Sequence, residues 1–435
     1  MSMIPGPREA PVRRPVRGRV AAAFLAAAVA TLAAACASGQ GAPGSGQGGP
    51  ITIVEQDYYG VPSPTDPTPA YLNSFFSRYE KSHPGVKVIR QAANSTNYES
   101  TAMLQLANGA APDLLMVDNP YLPALAAGGV LVPLNKLGAG STSTMNPANL
   151  AETVYKGTLY ALPLDTNTLA IFYNKTILRQ AGITTLPTTW AQFAADAKKA
   201  SGHGHYGFVF TGQAGPGEAT WQFDPWSWSN GGQLAKPAGR PTVQALAFLA
   251  GLVKDGAAPP DVVNWNQTPP IQEFEAGKAA FAENGLWNIP ILQSQFPKLQ
   301  WGVIKMPTRL AGQTAIVPSG GEVWCIPKTT PAKEKAAFQL LKAMSEPGNV
   351  IPLAKGLSAV PTDTRLWHDP PWNTGVYQPF LQELRHARSR TLGLTSTEPQ
   401  VSLAVGDAIQ NALTGKQSAQ SALRAAQQNV NSIVP

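Results

Sequence analysis

Between residues 221 and 232 the chain reads WQFDPWSWSNGG, crowding Trp221, Trp226 and Trp228 into one stretch that also carries Asp224, Asn230 and two glycines. On a helix, positions 221 and 228 lie seven apart and share a face, so two indole rings can form one flat apolar wall. Such a wall beside short polar side chains suits a pyranose, which presents an apolar face of C–H groups and an edge of hydroxyls. The competing role is the core, because tryptophan is highly buried on average. Trp221 and Trp226 are the rings expected to stack on a ligand, and Trp228 the one expected to anchor the stretch.

Carboxyl side chains raise a second possibility. A glycosidase needs two of them flanking the scissile bond, roughly 5 to 10 Å apart, and Asp57, Asp118, Asp165, Glu283 and Glu322 could supply a pair. A binding protein uses the same groups to accept hydroxyl hydrogens. The residues alone leave both uses open. His203 and His205 have metal-like spacing, but no cysteine or acidic run accompanies them, and no metal site or cofactor is expected. A phosphate-cradling GxxxxGK loop is absent from the sequence.

The elements that must position these groups alternate. Residues 51–54 (ITIV) form an apolar strand running into Asp57 and Tyr58. Residues 69–82 carry Leu72, Phe75, Phe76 and Tyr79 at helical spacing, and His-Pro-Gly ends them. A strand at 86–89, a helix at 97–108 and the strand DLLMVD at 113–118 follow, the last running into Asp118 and Asn119. This β-α-β-α-β order predicts an α/β fold, with a largely parallel sheet flanked by helices and ligands beyond the carboxyl ends of its strands. Asp57, Asp118 and Asn119 would then share one crevice. Thr188, Thr189 and Trp190 open a helix whose N-cap is a threonine hydroxyl, Asn174 suits a cap of the helix after YNK, and Cys325 in VWCI reads as a buried strand residue.

Five arginines between residues 8 and 19, an apolar run from 20 to 35 and then Cys36 form a secretory signal too short to span a membrane. Residues 32–36, LAAAC, resemble a lipobox with its leucine one place early, which implies cleavage and lipidation at Cys36. Residues 37–50, ASGQGAPGSGQGGP, are a flexible tether of the kind that holds a domain off a membrane surface. Loss of residues 1–35, with five Arg and one Glu, lowers the formal net charge from +7 to +3. That balance, with no Lys/Arg cluster interleaved with aromatics, excludes a nucleic-acid footprint.

Several longer stretches stand in a familiar order: APDLLMVDN at 111–119, AAGGVLVPLN at 126–135, LAIFYNK at 169–175, PTTWAQFAADAKK at 187–199, EFEAGKAAFAENGLW at 273–287, GGEVWCIPK at 320–328 and LTGKQSAQSALRAAQ at 413–427. From about residue 51 to 432 the chain resembles the extracellular solute-binding proteins of bacterial ABC importers, in the family-1 branch that mainly takes sugars. The resemblance implies a two-lobed clamp of α/β domains crossed three times by the chain, near residues 163, 315 and 362. Lobe one would comprise 51–163 and 316–362, and lobe two 164–315 and 363–435. It implies a monomeric receptor, not an enzyme, that binds a carbohydrate, of two or more units, between the lobes and delivers it to a membrane permease. A glycerophosphodiester or other polyol is the alternative ligand, and a glycoside hydrolase the more distant alternative. Carried over by position, the groups facing the cleft are Asp57, Tyr58, Asp118, Asn119 and Asp165, with Trp221, Trp226, Asn230, Glu283 and Trp287 from lobe two. Gly320, Gly321 and Glu322 join them at a crossing, and Arg390 in the RSRTLG turn occupies the place of a ligand-facing arginine.

Overall fold

The structure, a computed structural model, describes residues 49–60, 68–93, 97–215 and 217–434. Cys36, the signal and most of the tether lie outside the described residues.

Two sheets dominate. The strands of the first are β1 (Ile51–Asp57), β2 (Val86–Ala92), β3 (Leu114–Asp118), β4 (Ala161–Pro163) and β9 (Glu322–Cys325), in the order β2-β1-β3-β9-β4. Those of the second are β5 (Leu169–Asn174), β6 (Tyr206–Val209), β7 (Ala279–Gly285) and β8 (Trp301–Ile304), in the order β8-β5-β7-β6. The inner strands β3 and β5 are buried on both faces, which is why they read as continuous apolar runs, whereas the edge strand β2 (VKVIRQA) stays half exposed. In β3, Leu114 and Met116 pack with Phe75, Phe338 and Trp324, whereas Leu115 and Val117 pack with Tyr98, Leu122 and Cys325 on the opposite face. Cys325 is free and fully buried, as expected.

The helices begin where the sequence places their caps. Thr189 accepts from Gln192 N and completes a capping box for α3 (Trp190–Ala200), numbered after α1 (Thr68–Ser82) and α2 (Tyr98–Ala107). The Asn174 side chain accepts from Thr176 N and Ile177 N. The tryptophan-rich stretch forms α4 (Glu218–Ser229), buried at every position after its first. Two further helices, α5 (Glu398–Leu413) and α6 (Ala419–Ile433), separate at Gly415 and pack against α4's neighbourhood in the core of the second sheet.

Each sheet carries one reversed strand. β1, β2 and β3 run parallel, but β9 is antiparallel to β3 and β4; β6 and β7 run parallel, but β5 is antiparallel to β7 and β8. The cause lies in how the chain arrives. It leaves the first sheet after β4 and enters β5 through residues 164–168, then returns through 305–321 into β9. Asn167 and Gly320 bridge where those two passages meet, and Asp165–Thr166 pairs with Val360–Pro361 in a third. A strand entered from between the sheets begins at the edge where its parallel neighbours end. Glu322, the first residue of β9, therefore pairs with Asp118, the last of β3.

Candidate ligand-binding site

Strand ends from both sheets enclose a cavity of about 910 Å³. From the first sheet it is lined by Tyr58, Tyr59, Asp118 and Glu322; from the passages by Asp165, Asn167, Gly320 and Gly321; from the second sheet and its helices by Glu218, Trp221, Gln267, Trp287 and Asn288; and by Arg390.

At its floor, Glu322 accepts hydrogen bonds from both tyrosines: Tyr58 Oη donates to Oε1, and Tyr59 Oη donates to Oε2 at 2.8 Å. Burial raises the Glu322 carboxyl above its ordinary range, and these two donors partly offset that rise. Asp165 stands beside it, 1% exposed, its carboxyl against that of Glu322 and without an amide, hydroxyl or cation to satisfy either oxygen. Burial, then the neighbouring Glu322, pushes its pKa well above the usual carboxylate value. The close fit needs glycine. A Cβ on Gly320 would fall 2.1 Å from Asn167 Oδ1 and 2.4 Å from the Trp221 ring, and Gly321 adopts φ +108° with Asp165 O only 2.7 Å from where its Cβ would be.

Arg390 joins the two halves of the wall. Its guanidinium donates to Asp118 and Asn119 at the end of β3, its backbone N donates to Glu152 Oε1 at 2.6 Å, and its Cζ lies 4.8 Å from the centroid of the Trp221 ring. Burial raises Glu152 to about 8 and Glu398 to about 7, with Arg390 pulling both back.

Trp287 is the half-buried ring of the wall. Its six-membered ring rests against Gly285, where a Cβ would come within 1.9 to 2.2 Å of three ring carbons. Trp221 is 6% exposed, with one face of its ring covered by Arg390.

The structure thus brings together Tyr58, Asp118, Asp165, Trp221, Trp287, Gly320, Gly321, Glu322 and Arg390. Five other positions singled out in the sequence do not line the cavity. Asp57 is buried in a two-point pair with Arg90, at 2.5 and 2.6 Å, and also accepts from Tyr59 N. Asn119 is fully buried between Arg390 and the Ser319 carbonyl. Trp226 is fully buried among Trp190, Phe193, Phe208 and Phe248, and its indole N–H donates to Glu283 Oε2 at 2.8 Å, which places Glu283 in the core as well. Asn230 closes α4 and bonds Pro241 O, Gln244 and Arg309. Tyr59, Asn167, Glu218 and Gln267 were not selected from sequence. Tyr59, adjacent to Tyr58 at the end of an apolar strand, and Asn167, two residues after Asp165 in DTNT, carried signals that could have found them.

Among the described residues no group of three or more His, Cys, Asp or Glu side chains is placed to hold a metal ion, and no helix is long and apolar enough to cross a membrane.

Two α/β sheets whose strand ends converge on one polar, aromatic-lined cavity define a ligand-binding protein of the two-lobed periplasmic type. The sequence pattern of the bacterial extracellular solute-binding proteins matches residues 74–375, and the chain belongs to that family. A putative binding protein of Brucella abortus is 22% identical over 254 residues, covering 56% of this chain and 61% of the relative, so the chain spans about three fifths of that relative's length. A probable ABC transporter-binding protein of Deinococcus radiodurans is 26% identical, covering 72% of this chain and 77% of that protein. The crystal structure of a cyclic alpha-maltosyl-1,6-maltose binding protein from Arthrobacter globiformis superposes with a TM-score of 0.74 at 24% identity, covering 89% of this chain and 99% of that one, a likeness of fold.

Proposed function

We propose that the chain is the extracytoplasmic receptor of an ABC importer, which binds a carbohydrate of two or more sugar units in the cavity and passes it intact to a membrane permease. The observation that carries this reading is the lining itself. Aromatic rings (Tyr58, Tyr59, Trp287) and hydrogen-bonding groups (Asp118, Asp165, Asn167, Glu322) converge from two sheets on one space of about 910 Å³, near the upper end of the ~300–1,000 Å³ typical of small-molecule sites. Rings meet the apolar faces of a sugar, and carboxylates accept from its hydroxyls. The Arthrobacter structure, whose name states an oligosaccharide ligand, supports the same reading.

Residues 51–163 with 316–362, and 164–315 with 363–435, act as two lobes moving about the three passages. A ligand touching both lobes binds the closed arrangement better, and that difference in affinity shifts the population towards closure, which the permease reads. Cleavage before Cys36 and its lipidation hold the monomer at the outer face of the cell membrane, with the Gly/Ser-rich segment as tether. Arg390, already engaged by Asp118 and Asn119, offers no free cation for a phosphodiester.

A thermal-shift screen of the purified protein against mono-, di- and oligosaccharides and glycerophosphodiesters tests the reading. A rise in Tm with at least one saccharide and none with the phosphodiesters is expected. A response confined to the phosphodiesters, or mass-spectrometric detection of cleaved sugar, would overturn it.

A further inference from the structure

The charge of the cavity goes beyond what a neutral sugar requires. Among the described residues lining it, five carboxyl-bearing side chains (Asp118, Asp165, Glu218, Glu275 and Glu322) face one cationic group, Arg390. That cation is occupied by Asp118, Asn119 and the stack on Trp221. Without residues 1–35 the chain still carries a formal net charge of +3, so the acidity is local to the site. A neutral polyol needs acceptors, and amides or hydroxyls provide them without the Coulomb cost of holding carboxylates together in a poorly solvated space.

Asp165 is the sharpest case, 1% exposed at the cavity wall, with the Glu322 carboxyl beside it and no amide, hydroxyl or cation of the protein satisfying either of its carboxyl oxygens. Glu218 likewise has a buried Oε2 without a partner. Opposite Asp165, Glu322 is held by two tyrosine hydroxyls rather than by a cation. A metal ion would need a converging cage of ligands, and the described residues form none. An ammonium needs only two or three acceptors and a nearby aromatic face, which Tyr58, Tyr59 and Trp287 supply.

We propose that the ligand is a saccharide bearing a protonated amino group, with its ammonium seated between Asp165 and Glu322. This rests on the carbohydrate reading above and narrows its substrate class. The groups facing Asp165 are Glu322, Tyr58 and Tyr59 on the first sheet's edge, with Asp118 and Arg390 further along the wall. Without ligand, burial and the neighbouring Glu322 favour the protonated form of Asp165. An entering ammonium favours two ionised carboxyls, so binding releases a proton and strengthens as pH rises.

Isothermal titration with matched pairs tests this: the β-1,4 glucosamine disaccharide against cellobiose, and 2-amino-2-deoxytrehalose against trehalose. The amino member of at least one pair is expected to bind about tenfold or more tighter at pH 7. That preference should grow from pH 5.5 to 7, with proton release detected in buffers of different ionisation enthalpy. In Asp165→Asn the amino-to-hydroxyl ratio should fall towards one; Glu218→Gln, whose carboxyl interacts with Gln267 and Asp118, should lower it less. Hydroxyl members binding as tightly as their amino partners would overturn this inference and leave the carbohydrate reading standing. Binding of neither member of either pair would count against both.

Discussion

Trp226→Phe separates a core role from a ligand role for the tryptophan-rich helix. Trp226 is fully buried, with the ring centroids of Phe248, Phe193, Phe208 and Trp190 at 5.3, 5.5, 5.9 and 6.2 Å. Phenylalanine keeps most of those contacts but removes the N–H that donates to Glu283 at 2.8 Å. A buried carboxyl oxygen left without its donor costs about 1–3 kcal/mol, and the void left by the lost ring edge costs about 1 kcal/mol more. A total of about 3 kcal/mol lowers Tm by about 4–7 °C in a chain of this size, depending on whether one lobe or both unfold together. The effect depends on pH with a defined sign. Burial raises the Glu283 pKa well above its ordinary 4.5, and the Trp226 hydrogen bond lowers it in part. The stability contributed by the protonated carboxyl is complete below about 4.5 and is lost as pH climbs through the raised folded value. Removing the donor favours the protonated form further, so the deficit of the variant should be larger at pH 8 than at pH 5. Calorimetry at both pH values, with saccharide affinity measured on the folded protein, provides the assay. An unchanged Tm accompanied by a tenfold loss of affinity would refute the reasoning and return Trp226 to the binding surface.

Other perturbations act on the wall and on the buried carboxyls. Gly285→Ala should displace Trp287 and weaken saccharide binding about tenfold, because its Cβ would lie within 2.2 Å of the ring, whereas Gly251→Ala, with open space around it in a helix, should stabilise by about 0.5–1 kcal/mol in a thermal melt. Arg390→Met leaves Asp118 without its ion-pair partner and uncovers Trp221; saccharide affinity should fall and Tm should drop by several degrees, and a Tm equal to wild type would contradict the joining role. Glu383 is buried, accepts from Met306 N at 2.6 Å and is pushed up to about 8. Its stabilising protonated form is therefore lost between about pH 4.5 and 8, and Glu383→Gln should flatten the decline of stability over that window in urea titrations. Cys36→Ala should move the protein out of the membrane fraction, and continued retention would defeat the lipid anchor.

Strand periodicity and caps made the architecture legible. DLLMVD, flanked by helical patterns, is β3 with both faces buried, and Thr189 and Asn174 cap the helices they precede. Strand direction was not legible, because an apolar run such as VWCI reads alike in both senses. Only its entry from the passage at Gly320–Gly321 sets Glu322 at the cavity edge. The rule that ligands gather beyond strand ends located Tyr58 and Asp118, but it could not foresee that Arg90 on the neighbouring strand would engage Asp57. For the tryptophans, a helix buried on every side gives no amphipathic stripe to say which ring faces the ligand, and position 226 points into the core while 221 reaches the wall.

The measurement that tests the central claim most directly is a calorimetric titration of a saccharide into wild-type protein and Trp287→Ala. The account predicts 1:1 binding with release of intact sugar, and affinity at least about tenfold weaker in the variant, with Tm nearly unchanged because the ring is only half-buried. Equal affinity in the two proteins would contradict it, since the ligand would then lie somewhere other than the cavity between the sheets.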